Sequence, residues 1–574
     1  ISGNPEAVAV NLGGYALVAV VASIIAMVIA IYRAMQLDIL AIRREAARST
    51  RRPIWQRINL DIVAIIITLT GFGISYYVTN SGVLDPQLRL LLLSPLTLLG
   101  TVFLMIAALL LFLRIFQLLL RLGAWLAARG RGAASMLALA QMARSPRQSV
   151  RMTLLFALAT AFVIFTLIFT ASQAERIPQV AAFSAGADFS GVPDNPSLNS
   201  IALDEETNMY RTIPGLASVT LGYKAKTIGG GNILALAIEV MAVDANNFAS
   251  TAGSSWTGQD SPDALSSLMS QLRAGRSQGI ASNVVPAIVD SATWTSLHLS
   301  PNTTFALNFF PYGPITLQAV AKVDHIPTIS DSASAGGTDD VPSGGVLVDY
   351  RTFAPVYTND FAQLGTSLPI NYAWVRARDD SASIASVRKA LTTGCCFILD
   401  PLYDRRAIVT SLQNDPLSVD LLGVLGIGAT TAMLLALAGS LIASWLCARN
   451  RLTNFAVLRA LGAAPSQLAG MLMWEQSIIY ITSLLLGLLF GALLSLLALP
   501  VMIFTSVATT GASSDLSSSA FFIVQNIPPI QIVLPSTLWV ILGALVGICI
   551  VALGLMVRVV SRPSISQTLR LNED

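Results

Sequence analysis

The run MTLLFALATAFVIFTLIFTAS, residues 152–172, contains no ionisable side chain. Roughly 20 such residues, coiled as a helix, cross the hydrocarbon core of a bilayer. Comparable runs at 11–32, 62–79, 91–113, 421–448, 476–506 and 533–557 bring the total to about seven expected spans. With 54% of 574 residues apolar and 12% charged, the composition is that of a membrane protein rather than of several soluble domains. The run at 476–506 is long enough to tilt or break, and Pro500 is its expected terminator.

Orientation follows from the arginines, because short loops rich in Lys and Arg stay on the cytoplasmic side. Arg33, Arg43, Arg44, Arg48, Arg51, Arg52 and Arg57 follow the first run, and Arg121, Arg129, Arg131, Arg144, Arg147 and Arg151 follow the third. Arg449, Arg451 and Arg459 follow the fifth, and Arg558, Arg562 and Arg570 mark the C-terminus. All four segments are predicted inside. The loops near 80–90 and 507–532 carry one base, Arg89, and are predicted outside.

Residues 173–419 differ from the rest: they are polar, rich in Ser, Thr, Asp and Gly, and hold 22 acidic against 14 basic side chains. Alternation of the spans places them outside. The runs at 233–243, 305–310, 315–323 and 344–350 read as strands, and 263–274 and 380–392 as helices, so this is an extracytoplasmic α+β domain. The stretch 328–345, TISDSASAGGTDDVPSGG, has no apolar period and reads as a mobile surface loop.

Charge inside a bilayer is costly and is retained for a purpose, yet none of the seven apolar cores holds an ionisable group. Arg114 and Glu475 fall at the cytoplasmic ends of their runs, where snorkelling to the interface accounts for them. An ion-coupled carrier is therefore disfavoured. Gly487 with Gly491, and Gly543 with Gly547, have the small-xxx-small spacing that lets helix backbones approach, a spacing that apolar sequence also produces by chance. The chain has no HExxH, no G-x-S-x-G and no phosphate-binding G-x-x-x-x-G-K-[ST], so it is not expected to be an enzyme, and any ATPase is supplied by another polypeptide. No metal or other cofactor is expected on this chain. Cys395 and Cys396 are either a vicinal disulfide or two thiols, Cys447 and Cys549 lie in apolar runs, and His298 and His325 have no ligand-like neighbours. Because the chain opens at Ile1 without a basic lead-in, its true N-terminus is expected upstream.

The loop after the fifth run reads ARNRLTNFAVLRALGAAPSQLAGMLMWEQ, from Ala448 to Gln476. Phe455, Leu458 and Leu461 recur at three-residue spacing with Arg459 on another face, which predicts a short amphipathic helix at the inner membrane surface. Gly462 and Pro465 are predicted to end it, before a second helix enters the membrane past Glu475. Physics alone leaves open whether this helix has a partner.

LRALGAAPSQL followed by Glu475 resembles the signature of FtsX-like permease domains of ABC transporters of the lipoprotein-releasing and macrolide-exporting type. The stretches 137–162, SAGADF at 184–189 and EVMAVDANNFA at 239–249 are similar to other parts of that family. The resemblance implies that Phe455, Leu458, Arg459, Leu461 and Gly462 form a coupling helix seated on a cytoplasmic ATPase, itself a dimer that binds ATP-Mg, with Glu475 at the family's acidic position. It divides the chain into the last span and tail of a first repeat (1–50), a two-span linker (51–134), a lead-in helix and first span (135–172), the extracytoplasmic domain (173–419) and a three-span permease domain (420–574). The expected fold is thus an α-helical transmembrane bundle of about seven spans with one large α+β extracytoplasmic domain, in the plasma membrane with a cytoplasmic C-terminus. The expected function is a permease subunit that transmits ATPase movement outward to export or extract a lipidic, amphipathic or peptide substrate. Membrane lipid and a periplasmic or cell-surface protein are further expected partners, and nucleic acid is not. A tethered receptor or scaffold, or a regulator of cell-wall enzymes, is the alternative.

Overall fold

The computed structural model describes residues 60–80, 104–116, 133–144, 146–194, 202–229, 236–258, 260–309, 312–329, 344–361, 367–394, 397–450, 464–502 and 530–561, with scattered positions at 21–28 and 118–129. The expected span 11–32, Cys395 with Cys396, the expected coupling residues Phe455, Leu458, Arg459, Leu461 and Gly462, and most of the expected 328–345 loop lie outside these described residues.

Among the described residues four helices are long and apolar enough to cross a membrane: α4 (Pro146–Ala185), α11 (Pro416–Asn450), α12 (Pro465–Met502) and α13 (Thr537–Ser561). The expected seven are not reached there. Two further apolar helices, α1 (Leu60–Asn80) and α2 (Leu104–Phe116), fall on expected runs. Three of the four long helices begin with proline, whose missing N–H and fixed φ suit the first helical position. The α12 start is reinforced by Gln467, whose side-chain oxygen accepts from the Ala464 N–H at 3.3 Å, as the third residue of a capping box does. Pro500 does not terminate α12, which runs on to Met502. So near a helix end the ring disturbs only the final turn.

The polar domain is a nine-stranded mixed sheet in the order β3-β7-β4-β6-β5-β2-β8-β1-β9. The strands are β1 (Phe189–Pro193), β2 (Leu216–Gly229), β3 (Leu236–Val243), β4 (Val285–Asp290), β5 (Thr304–Phe309), β6 (Gly313–Val323), β7 (Gly344–Asp349), β8 (Tyr372–Ala377) and β9 (Leu399–Asp404). Strand β2 also pairs with β3, from Gly222↔Val243 to Gly229↔Leu236, so six strands close into a ring, while the first half of β2 carries β8, β1 and β9 outward. Gly222 is where β2 changes partners. A β-carbon there would press on the Ala242 carbonyl, so the residue must be glycine for the backbones to approach.

Both faces of this sheet are buried. Val240 and Ala242 enter one core with Phe353, Val356 and Tyr357 of α8 (Tyr350–Asp360) and Val387 and Leu391 of α9 (Ser381–Thr393). Met241 and Val243 enter the other, with Leu265, Leu268, Met269 and Leu272 of α6 (Leu265–Ala274). Double burial explains why β3, β4 and β7 read as continuous apolar runs. The 328–345 loop reading needs correction at its end: Gly344 and Gly345 are buried in β7, and the Gly345 N–H donates to Asp290 Oδ2 at 2.6 Å.

Candidate functional site

The described part of the site runs from the inner end of α12, through a helix contact in the membrane, to the junction with the external domain. At the inner end, Glu475 is 4% exposed and Gln476 is buried beside it. Snorkelling therefore does not account for Glu475. Helix α3 (Ala133–Arg144) and α2 pack over this part of α12, gathering Phe116, Met142, Val150 and Ile479 into one cluster that excludes solvent. Helix α12 begins ten residues ahead of Glu475, at Pro465, so the glutamate stands inside a helix rather than at its entry.

Deeper in the bilayer α12 crosses α4 through its glycines. A β-carbon at Gly487 would stand 2.7 Å from Thr160 Cβ and 3.1 Å from the Ala157 carbonyl oxygen; at Gly491 it would stand 2.9 Å from Ile164 Cβ. The backbones touch because nothing projects between them. Gly543 and Gly547 differ: among the described residues no heavy atom comes within 4 Å of a β-carbon at either. The buried hydroxyls of Thr153, Thr160, Thr166, Ser483 and Ser495 all donate to the carbonyl four residues back on their own helix. They are satisfied locally and form no polar line along the bundle. An apolar cavity of about 270 Å³ opens between α4, α12 and α13, lined by Phe156, Tyr480, Leu484, Leu545, Cys549 and Leu553 among others.

Helix α4 has 40 residues and is therefore about 60 Å long, twice the hydrocarbon thickness. Its outer part is a stalk. Ile177 and Val180 pack against Leu412, with Ile408 and Val409, of α10 (Arg405–Gln413), the helix that leads from β9 into α11. The stalk ends at Gly186, φ +64°, in the left-handed conformation that closes helices. A side chain there would strike the methyl of Thr328 and the indole of Trp374. The Phe183 carbonyl accepts from Thr328 N at 2.8 Å, the Asp188 carbonyl accepts from Arg405 N at 3.0 Å, and Asp188 Oδ1 lies 3.3 Å from Arg406. Lys224 Nζ donates to the Thr328 carbonyl at 2.6 Å and faces Glu239 at 3.3 Å. Burial is the largest single influence and opposes the Lys224 charge, but Glu239, Tyr372 and Tyr403 together outweigh it and hold the ammonium above its ordinary range. Asp404 caps α10 through the N–H groups of Arg406 and Ala407 and also receives Arg388.

Gly186, Asp188 and Glu239 fall in the stretches 184–189 and 239–249 singled out in the sequence, but sequence reading missed Lys224, Thr328, Arg388, Asp404 and the α10 packing as parts of one junction. A signal for the stalk was the spacing of Ile177, Val180 and Ala181 beyond the end of the apolar run, an amphipathic continuation of the span.

Residues 426–565, which include α12 with its two contact glycines, match the family described as FtsX-like permease C-terminal. This segment is similar to an FtsX-like permease domain. No curated protein matches the chain. Two solved structures are similar to part of the chain. One is the extracellular domain of the noncanonic ABC-type transporter YknZ from Gram-positive bacteria, at 11% identity and a TM-score of 0.21 over 35% of this chain and 87% of that one. The other is the periplasmic region of MacB from Actinobacillus actinomycetemcomitans, at 10% identity and a TM-score of 0.23 over 40% of this chain and 95% of that one. Within the matched segment, Glu475, Gly487 and Gly491 are described, and the expected coupling residues ahead of α12 are not.

Proposed function

We propose that this chain is the permease subunit of an ABC transporter, in which a separate cytoplasmic ATPase dimer moves the segment around Phe455, Leu458, Arg459, Leu461 and Gly462. That movement is carried through α12 and α4 to an extracytoplasmic domain. The observation that carries the reading is the continuity of α4: one helix makes the glycine contact with the FtsX-like domain and then ends inside the external sheet. Displacing α12 against α4 must displace the stalk. The locally satisfied hydroxyls favour a mechanical role over an ion pathway. ATP can drive the external domain to the extent that its two nucleotide states favour different helix arrangements. The proposed cargo is lipidic, amphipathic or peptide-like, and regulation of an external enzyme uses the same lever without cargo.

Co-purification tests this reading. The solubilised permease is expected to retain an ABC-type ATPase and to stimulate its hydrolysis. A permease that binds no ATPase, while its external domain captures a ligand, favours the receptor reading.

A further inference from the structure

Among the described residues of the external domain, one buried carboxylate is not used by the surrounding structure. Glu206, on α5 (Leu203–Tyr210), is fully buried, and neither of its carboxyl oxygens has a hydrogen-bond partner. A buried carboxylate without donors is disfavoured in its charged form. Tyr210, one turn later, is also buried with its hydroxyl unpartnered. The charged and titratable groups around Glu206 are few: Asp204, Glu205 and Tyr210 on its own helix, Arg211 at the helix end, and Tyr350 and Arg351 on α8. Neither cation serves it: Arg211 donates to Asn208 Oδ1 at 3.2 Å, and Arg351 is held by Asp204 and Asp244. Lys224 of β2 is held on the other face of the sheet by Glu239 and the Thr328 carbonyl. Tyr350 donates its hydroxyl to the Leu368 carbonyl at 3.0 Å.

Tyr210 packs on Phe397 with ring centroids 5.1 Å apart, beside the first residue of β9, Leu399, which pairs with Pro193 at the end of these strands away from the stalk. We infer that Glu206 is a proton-operated latch: protonated, it lets α5 close on the core of the sheet, and ionised, it drives α5 off. This inference stands apart from the ATPase reading.

Burial pushes the Glu206 carboxyl up to about 7 from an ordinary 4.5. Its charge in turn raises the hydroxyls of both Tyr210 and Tyr350, after burial itself, so neither tyrosine titrates in the same range. Below 4.5 both the closed and the released forms are protonated, and closure is at full strength. Between 4.5 and 7 the released form ionises first, so closure weakens by up to about tenfold per pH unit, and above 7 it weakens no further. An acidic exterior closes the latch.

Hydrogen exchange on the full-length protein in lipid nanodiscs, corrected for intrinsic rates, tests this. Amides 203–211 are expected to be on the order of tenfold better protected at pH 5.5 than at pH 8, while those of β4 do not change. Glu206→Gln and, as a second apolar variant, Glu206→Leu are each expected to give equal protection at both pH values. Equal protection of this segment in the parent, or a pH dependence that persists in either variant, overturns the latch.

Discussion

Gly487 of α12 and Thr160 of α4 meet with no room for a methyl group between them: a β-carbon on the glycine would lie 2.7 Å from Thr160 Cβ. The threonine cannot swing away, because its hydroxyl is bonded at 2.8 Å to the Phe156 carbonyl of its own helix.

Gly487→Ala is therefore expected to destabilise the bundle although alanine favours helix. The overpacking term, about 1–3 kcal/mol, exceeds the propensity gain of up to about 1 kcal/mol. Gly491→Ala, facing Ile164 Cβ at 2.9 Å, is expected to behave alike. Gly543→Ala meets no heavy atom within 4 Å among the described residues and is expected to be neutral or slightly stabilising. Thermal unfolding of the three variants in one detergent checks the contrast, and equal behaviour of all three would remove the distinction between the glycine pairs.

Asp349 is 1% exposed and accepts from Arg276 Nε at 2.9 Å and Nη2 at 3.1 Å, from Thr352 Oγ1 at 2.8 Å and from Ala245 N at 3.2 Å. One carboxylate thus joins β7, α8, the end of β3 and α7 (Arg276–Ser282). Asp349→Ala strands these donors and is expected to lower stability by about 3–5 kcal/mol. Chemical denaturation followed by the fluorescence of buried Trp374 would show it as a lower midpoint at unchanged slope.

What could be read from sequence depended on how far local pattern and tertiary setting agreed. The runs around 152, 421, 476 and 533 declare themselves, since helices with no amphipathic face must be in lipid or deep in protein. Strands β3, β5, β6 and β7 were legible as β-branched or alternating runs. Strand β2 was hidden because Lys224 and Lys226 interrupt its pattern, and these lysines are tolerated through partners remote in sequence, such as Glu239 and Thr328 for Lys224. Strands β1 and β9 carry Pro193 and Pro401, which suit the ends and edges of sheets but read locally as loop. Glu475 looked like an interfacial residue because sequence distance cannot show that α2 and α3 cover it. The glycine spacing was visible, but which pair has a neighbour is a tertiary fact.

The α10 junction gives a third expectation. Asp404→Ala removes an N-cap, worth about 1 kcal/mol, together with a half-exposed ion pair to Arg388, worth up to about 1 kcal/mol. Leu412→Ala opens the packing against Ile177 and Val180 at about 2–4 kcal/mol. Both are expected to raise hydrogen exchange in 405–413 by about tenfold or more, since about 1.4 kcal/mol is a factor of ten, while the β3–β7 core stays protected. If exchange rises over the whole domain at once, the stalk and the sheet unfold as one unit and α10 is not a separate joint.

The last expectation concerns the coupling segment, which must act through shape and charge at a protein interface if the transporter reading holds. Leu461→Ala trims an apolar anchor, and Arg459→Glu reverses a charge at the same surface; interface anchors of these kinds are each worth about 1 kcal/mol or more. Both positions precede α12, whose start is secured independently by Pro465 and Gln467. Insertion and folding are therefore expected to survive. The variants should reach the membrane at parental levels, retain less of the ATPase on co-purification and stimulate its hydrolysis less. Arg48→Glu, an equally drastic change in the Arg-rich segment that follows the first apolar run, serves as the control and is expected to leave hydrolysis near the parental rate. Full binding and stimulation by the Leu461 and Arg459 variants would dismiss the coupling assignment. In that event the contact between α12 and α4 would still hold the bundle together, but it would have no motor behind it, and the receptor reading would take precedence.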